Sequence, residues 1–155
     1  MKTKKTTIFF ILFIVFSAFS KKDENAIKDC HFLWNNETCL SQNGEFLNYK
    51  EFSGSNLVNL FGNEEDKLVL IDNFYEIQKE ILSHNLVIES LIKSRSGNIK
   101  VNLKENKEIR LQQHKIKDQL LHLNLFLTSK ISKKLMKNFQ CLDLRYKNKI
   151  AIKHF

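Results

Sequence analysis

KENKEIRLQQHKIKDQLLHLNLFLTSKISKKLMKNFQCL, residues 104–142, is the stretch on which the reading of the fold turns. Its apolar residues fall at Ile109, Ile116, Leu120, Leu123, Leu127, Ile131, Leu135, Phe139 and Leu142. The steps are threes, fours and one seven, so a helix over about 104–140 has one apolar side along its whole length. Within it, Leu120 to Leu127 is apolar on more than one side, which predicts cover on at least two faces.

The preceding stretch repeats the pattern. Asn63-Glu64-Glu65-Asp66 is a helix start, with a capping Asn and three acids where the macrodipole favours negative charge. Leu70, Ile77, His84 and Leu91 then recur every seven residues, with Phe74, Ile81 and Ile88 between them, a heptad seam of coiled-coil type. Arg95-Ser96-Gly97-Asn98 supplies a stop. The spacing predicts a helix over about 64–95, with His84 as a core or edge residue.

Composition points the same way. The chain of 155 residues has no proline and four glycines, the residues that supply most turns. Few turns favour few, long elements. The expected fold class is mainly α: an antiparallel helical hairpin or small bundle, 63–142, preceded by a disulfide loop. Three short stretches alternate apolar and polar residues: Ile99–Lys104, Cys141–Arg145 and Ile150–Lys153. They predict one short β-ribbon between the join and the tail.

The amino terminus has the form of an export signal. Lys2, Lys4 and Lys5 precede an unbroken apolar run from Ile8 to Phe16, and Ala18 and Ser20 are the small residues a signal peptidase reads. Cleavage after Ser20 is expected, giving a secreted or extracytoplasmic chain. The alternative is an uncleaved membrane anchor at residues 6–20, which would make the chain a membrane-tethered helical stalk or scaffold.

Residues 21–62 form an acidic segment without helical period. Cys30 and Cys39 close a small loop whose natural turn is Asn35-Asn36. In an exported chain a Cys30–Cys39 disulfide is the first choice. Cys141 is then free, or an alternative partner for either. Asn36-Glu37-Thr38 is a glycosylation sequon, with Asn36 the acceptor on a eukaryotic export route. Phe46, Leu47, Tyr49 and Phe52 make an aromatic cluster expected to cap the core.

The net charge of +8 is uneven: residues 21–66 carry −5 and residues 104–155 carry +9. Lys130, Lys133, Lys134 and Lys137 form a cationic patch for an anionic partner, and a basic tail follows from 143 to 155. Such a patch suits an anionic membrane surface or an acidic protein, while the export signal argues against nucleic acid. No phosphate loop, nucleophile elbow, zinc-binding helix or Cys-x-x-Cys motif is present. No catalytic, cofactor or metal residues are assigned, and no enzyme is expected. The function expected is an exported protein–protein interaction module, such as a secreted ligand, effector or surface binding protein, with a protein partner and an oligomer both compatible.

Overall fold

Ile109 and Leu111 are fully buried, while Glu108 and Arg110 beside them are half-exposed. That is a period of two, which belongs to a strand and not to a helix. The computed structural model of the protein describes residues 30–47 and 57–155. It contains nine strands: β1 Phe32–Trp34, β2 Thr38–Leu40, β3 Phe46–Leu47, β4 Val58–Phe61, β5 Ile88–Lys93, β6 Asn98–Leu103, β7 Lys107–Gln112, β8 Phe139–Asp143 and β9 Ala151–His154. Three helices accompany them: α1 Lys67–Ile81, α2 Ile116–Thr128 and the single-turn α3 Ser132–Leu135. The strands form one mixed sheet in the order β3-β2-β1-β4-β5-β6-β7-β8-β9.

The mainly-α hairpin, its helical bundle and its coiled-coil seam are therefore corrected. Each expected long helix is a shorter helix flanked by strands. The seam Leu70–Ile81 is helical, but the chain leaves the helix through a 3-10 turn at Leu82–His84 and the left-handed Asn85. Ile88 and Leu91 continue the apolar series as strand residues. In the other stretch, the seven-residue step from Ile109 to Ile116 is the passage from β7 into α2, and Phe139 and Leu142 lie on β8. The helices are also not antiparallel. β4 and β5 are parallel, β7 and β8 are parallel, and β5 and β7 are both antiparallel to β6. Helices that connect β4 to β5 and β7 to β8 must therefore return in the same direction. The three alternating stretches are strands β6, β8 and β9, within a sheet much wider than a ribbon.

Register puts the core on one face. Trp34, Leu60, Leu91, Val101, Ile109, Leu142 and Ile152 stand opposite one another in turn across seven strands. They belong to one hydrophobic core with Leu70, Ile77 and Ile81 of α1 and Leu120, Leu123 and Leu127 of α2. The two helices are also tied to each other. Asn124 Nδ2 on α2 donates to Glu80 Oε2 on α1 at 2.6 Å, and Asn73 Nδ2 on α1 donates at 2.6 Å to Gln113 Oε1 in the 3-10 turn that precedes α2. Phe32 packs edge-on against Phe74, with ring centroids 5.0 Å apart.

The architecture repeats internally. β4-α1-β5-β6 and β7-α2-β8-β9 are the same βαββ unit twice, joined by the β6–β7 hairpin. Leu60, Leu91 and Val101 in the first unit occupy the places of Ile109, Leu142 and Ile152 in the second. Gly97 (φ 77°) and Asn148 (φ 56°) sit at matching left-handed positions before the last strand of each.

The leader read at residues 1–20, and Tyr49 and Phe52 of the aromatic cluster, lie outside the described residues. Of that cluster, Phe46 is exposed on β3 and lies under Lys67 Nζ, 4.0 Å from the ring centroid.

Candidate functional site

A strand with one buried face must present its alternate residues on the other. Here that second face carries Leu33, Asn59, Ser90, Asn102, Glu108, Cys141 and Lys153, each opposite the next across the sheet. A neighbouring row runs Phe61, Ile92, Lys100, Arg110, Asp143, Ala151. The face thus grades from apolar at β1, β4 and β5, through amides and a hydroxyl, to charged at β7 and β8. Among the described residues no helix packs on it.

The charged end is tightly organised. Glu108 accepts from Cys141 and pairs with Arg110, and Lys100 Nζ lies 3.6 Å from Glu108 Oε2. Asp143 takes Arg145 in bidentate fashion, at 2.9 Å from Nε and 2.6 Å from Nη2, and also accepts from the Arg145 backbone N–H at 3.1 Å. Glu108, Arg110, Cys141 and Asp143, together with Asn106, Tyr146 and Lys153, line a shallow hollow of about 400 Å³. A second hollow, of about 450 Å³, lies toward the apolar end between Asn59, Ser90 and Lys104. There Asn59 Oδ1 is buried without a hydrogen-bond partner among the described residues, while Asn102 Nδ2 donates to Ser90 Oγ at 2.8 Å.

The protonation states follow from these contacts. Burial alone would raise the pKa of Glu108, but the thiol hydrogen bond, Arg110 and Lys100 outweigh it and hold the carboxyl below its ordinary value. Asp143 behaves alike: the desolvation is overcome by the side chain and backbone of Arg145. The same pairing raises Arg145. Cys141 moves the other way. Burial first, then the carboxylate of Glu108, push its thiol up to about 11. Its thiol is therefore protonated at neutral pH and donates to the Glu108 carboxylate.

The residues singled out in the sequence lie elsewhere, apart from Cys141. Cys30 and Cys39 form a disulfide, with Cα atoms 5.6 Å apart, that ties the entry of β1 to β2. Asn36 is exposed in the β1–β2 turn, where Asn35 and Asn36 both take positive φ as the turn chemistry anticipates. Cys141 is free and buried. Lys130, Lys133, Lys134 and Lys137 are exposed on the connection from α2 to β8, on α3 and its flanks. The structure does not join them to the second sheet face. Glu108, Arg110 and Asp143 are not among the site residues the sequence singles out, and Arg145 enters there only as part of the basic tail. The signal that marks them is charge alternating with apolar residues at 108–111 and 142–145, visible once those stretches are taken as strands.

Among the described residues no group of three or more His, Cys, Asp or Glu is placed to hold a metal ion. No described helix is long and apolar enough to cross a membrane. No family model matches the sequence, and no curated protein matches it. Among solved structures, the chain is similar to the major extracytoplasmic domain of the trans isomer of the bacterial cell division protein DivIB from Geobacillus stearothermophilus. The identity is 14% and the TM-score 0.41, over 64% of this chain and 92% of that one. A likeness that loose carries neither fold nor function across.

Proposed function

We propose that the protein is an exported binding domain without catalysis, whose second sheet face receives a protein partner. One observation carries this reading: nine strands bury one face under helices and leave the other graded, hollowed and uncovered among the described residues. Parallel strand pairs such as β4–β5 and β7–β8 ordinarily have both faces covered, so an open second face over them supports a partner there. At the β7–β9 end of this face the charge open to a partner is cationic. Lys153 is exposed and makes no ion pair among the described residues, whereas Glu108 and Asp143 are already engaged by Arg110 and Arg145. A partner segment that places a carboxylate against Lys153 and an apolar side chain against Phe61 and Ile92 matches the gradient.

Export is part of the same proposal. The Cys30–Cys39 bridge persists in an oxidising compartment, and the leader-like run at Ile8–Phe16 provides the route. Intact mass of the native protein under non-reducing conditions tests it: loss of residues 1–20 with the bridge retained is expected, whereas retention of those residues makes the same domain membrane-tethered. Photo-crosslinkers placed at Lys100 and Lys153 should capture one common partner that a crosslinker at Lys79 on α1 does not. Equal capture from both faces would remove the assignment.

A further inference from the structure

The two βαββ units differ most where helix returns to sheet. Between α1 and β5 the chain spends six residues, and between α2 and β8 it spends ten. The longer connection carries Lys130, Lys133, Lys134 and Lys137, all exposed, and none of them makes an ion pair among the described residues. Between Asp118 and Asp143 the sequence has no acid at all, so nothing local neutralises them. The connection is nevertheless held in shape. Ser132 is buried, and its hydroxyl donates to the carbonyls of Leu127 at 2.8 Å and Ser129 at 2.7 Å. Ser129 Oγ donates to Phe126 O at 2.7 Å and accepts from Ser132 N at 3.2 Å.

The same part of the molecule exposes large aliphatic side chains. Leu121 and Leu125 stand one helical turn apart on the outer side of α2 at 60% and 59% exposure, and Ile131, between Lys130 and Lys133, is 68% exposed. The cover expected for Leu120–Leu127 exists for Leu120, Leu123 and Leu127, and in part for Phe126, but not for Leu121 and Leu125. Uncovered leucines beside unpaired lysines are what an interfacial segment needs: aliphatic groups enter the acyl boundary and ammonium groups meet headgroup phosphates. No arginine lies between Arg110 and Arg145 to fork onto phosphodiesters, and exposed leucines have no use on a nucleic-acid backbone.

We infer that this surface, Leu121 and Leu125 with Ile131 and the four lysines, docks on an anionic lipid bilayer. It lies on the helix side of the sheet, so the partner face stays open while the domain is at the membrane. Each lysine near an anionic surface contributes about a fivefold gain in partitioning.

Vesicle flotation of the full chain tests this. Wild type should partition at least about tenfold better onto phosphatidylcholine vesicles with about 30% phosphatidylglycerol than onto phosphatidylcholine alone. Reversal of all four lysines (Lys130→Glu, Lys133→Glu, Lys134→Glu, Lys137→Glu) should remove that preference, and Ile131→Ser should weaken binding about tenfold. The apolar run at Ile8–Phe16 is common to all variants and drops out of their ratio. Should the fourfold variant misfold by circular dichroism, Lys133→Gln with Lys134→Gln gives the same test at a smaller fold-change. Equal binding to both vesicles, or binding untouched by the lysine changes, overturns the inference. So does equal binding of soluble polyglutamate that Ile131→Ser leaves unchanged, which would make the surface an acidic-protein site.

Discussion

Cys141 offers the sharpest check on the second face, because its chemistry reports its neighbours. With Cys30 and Cys39 bridged it is the one free thiol of the chain. Its pKa stands at about 11, against an ordinary value of 9.0, through burial and the adjoining Glu108 carboxylate. Two units leave roughly a hundredfold less thiolate at any pH below 9. Labelling by a thiol-specific disulfide reagent without reductant should therefore be about a hundredfold slower than in the unfolded chain, with its inflection near 11. Glu108→Gln removes the negative charge but not the burial, so the inflection should fall and still exceed 9.0. The same shift acts on stability. The folded state holds the proton more tightly than the unfolded chain, so its contribution is full below pH 9 and is lost as pH rises toward 11. That shift corresponds to roughly 3 kcal/mol before solvent screening, so the wild-type advantage over Cys141→Ala in unfolding free energy should shrink across the interval by that amount or less. An inflection at or below 9.0, or labelling as fast in the native as in the unfolded protein, would refute the placement of Cys141 beside Glu108.

Leu142 is fully buried in the central core row, so Leu142→Ala should cost about 2–5 kcal/mol in denaturant unfolding, while Lys153→Ala on the neighbouring strand should cost under about 0.5 kcal/mol. Replacing Cys30 and Cys39 together by Ser should lower stability by roughly 2.5–3 kcal/mol, seen as an equal loss on reduction of the wild type. Asp143 and Glu108 have depressed pKa values, so their contribution is full above the ordinary carboxylate range and is lost as pH falls through their folded values. Asp143→Asn should therefore lower stability by about 1–3 kcal/mol at neutral pH and flatten the acid limb of the pH–stability curve.

The helical reading failed at identifiable residues. Scarce glycine and absent proline suggest few turns, but this chain turns on asparagine. Asn35, Asn36, Asn85, Asn106 and Asn148 all have positive φ, joined by Glu105. Asparagine reaches the left-handed region at low cost, so an Asn-rich chain can build hairpins without glycine. Periodicity misled for a second reason. Ile77 and Ile81 face the sheet from a helix, and Ile88 and Leu91 face the helix from a strand. Both sets point into one core, so their spacings join into a false heptad. Residues 107–112 carry the period of two that would have broken it, since Ile109 and Leu111 alternate with charges. What was legible was local: the Asn35-Asn36 turn, the Cys30–Cys39 loop, the 3-10 turn after Asn63 that leads into α1, and the alternation in β6, β8 and β9. The pairing of Glu108 with Cys141 was not, because it needs β7 and β8 side by side with α2 between them in sequence.

The internal repeat separates what holds this fold from what equips it. At the central core-facing positions the two units keep apolar residues: Leu60 with Ile109, Leu91 with Leu142, Ile99 with Ile150, Val101 with Ile152. On the second face the equivalent positions diverge: Asn59 against Glu108, Phe61 against Arg110, Ser90 against Cys141, Ile92 against Asp143. A period of two makes this division automatic, since a substitution at one position leaves its neighbours on the opposite face untouched. The scaffold is thus uniform while its second face is apolar and amide-bearing in one half and charged in the other. A sheet used for stability alone has no need of a buried carboxylate–thiol pair, since each desolvated carboxylate there must be offset by a dedicated partner. The chain supplies those partners, Arg110 and Arg145, in the second unit and leaves their counterparts out of the first, so the paired carboxylates of this face belong to β7 and β8.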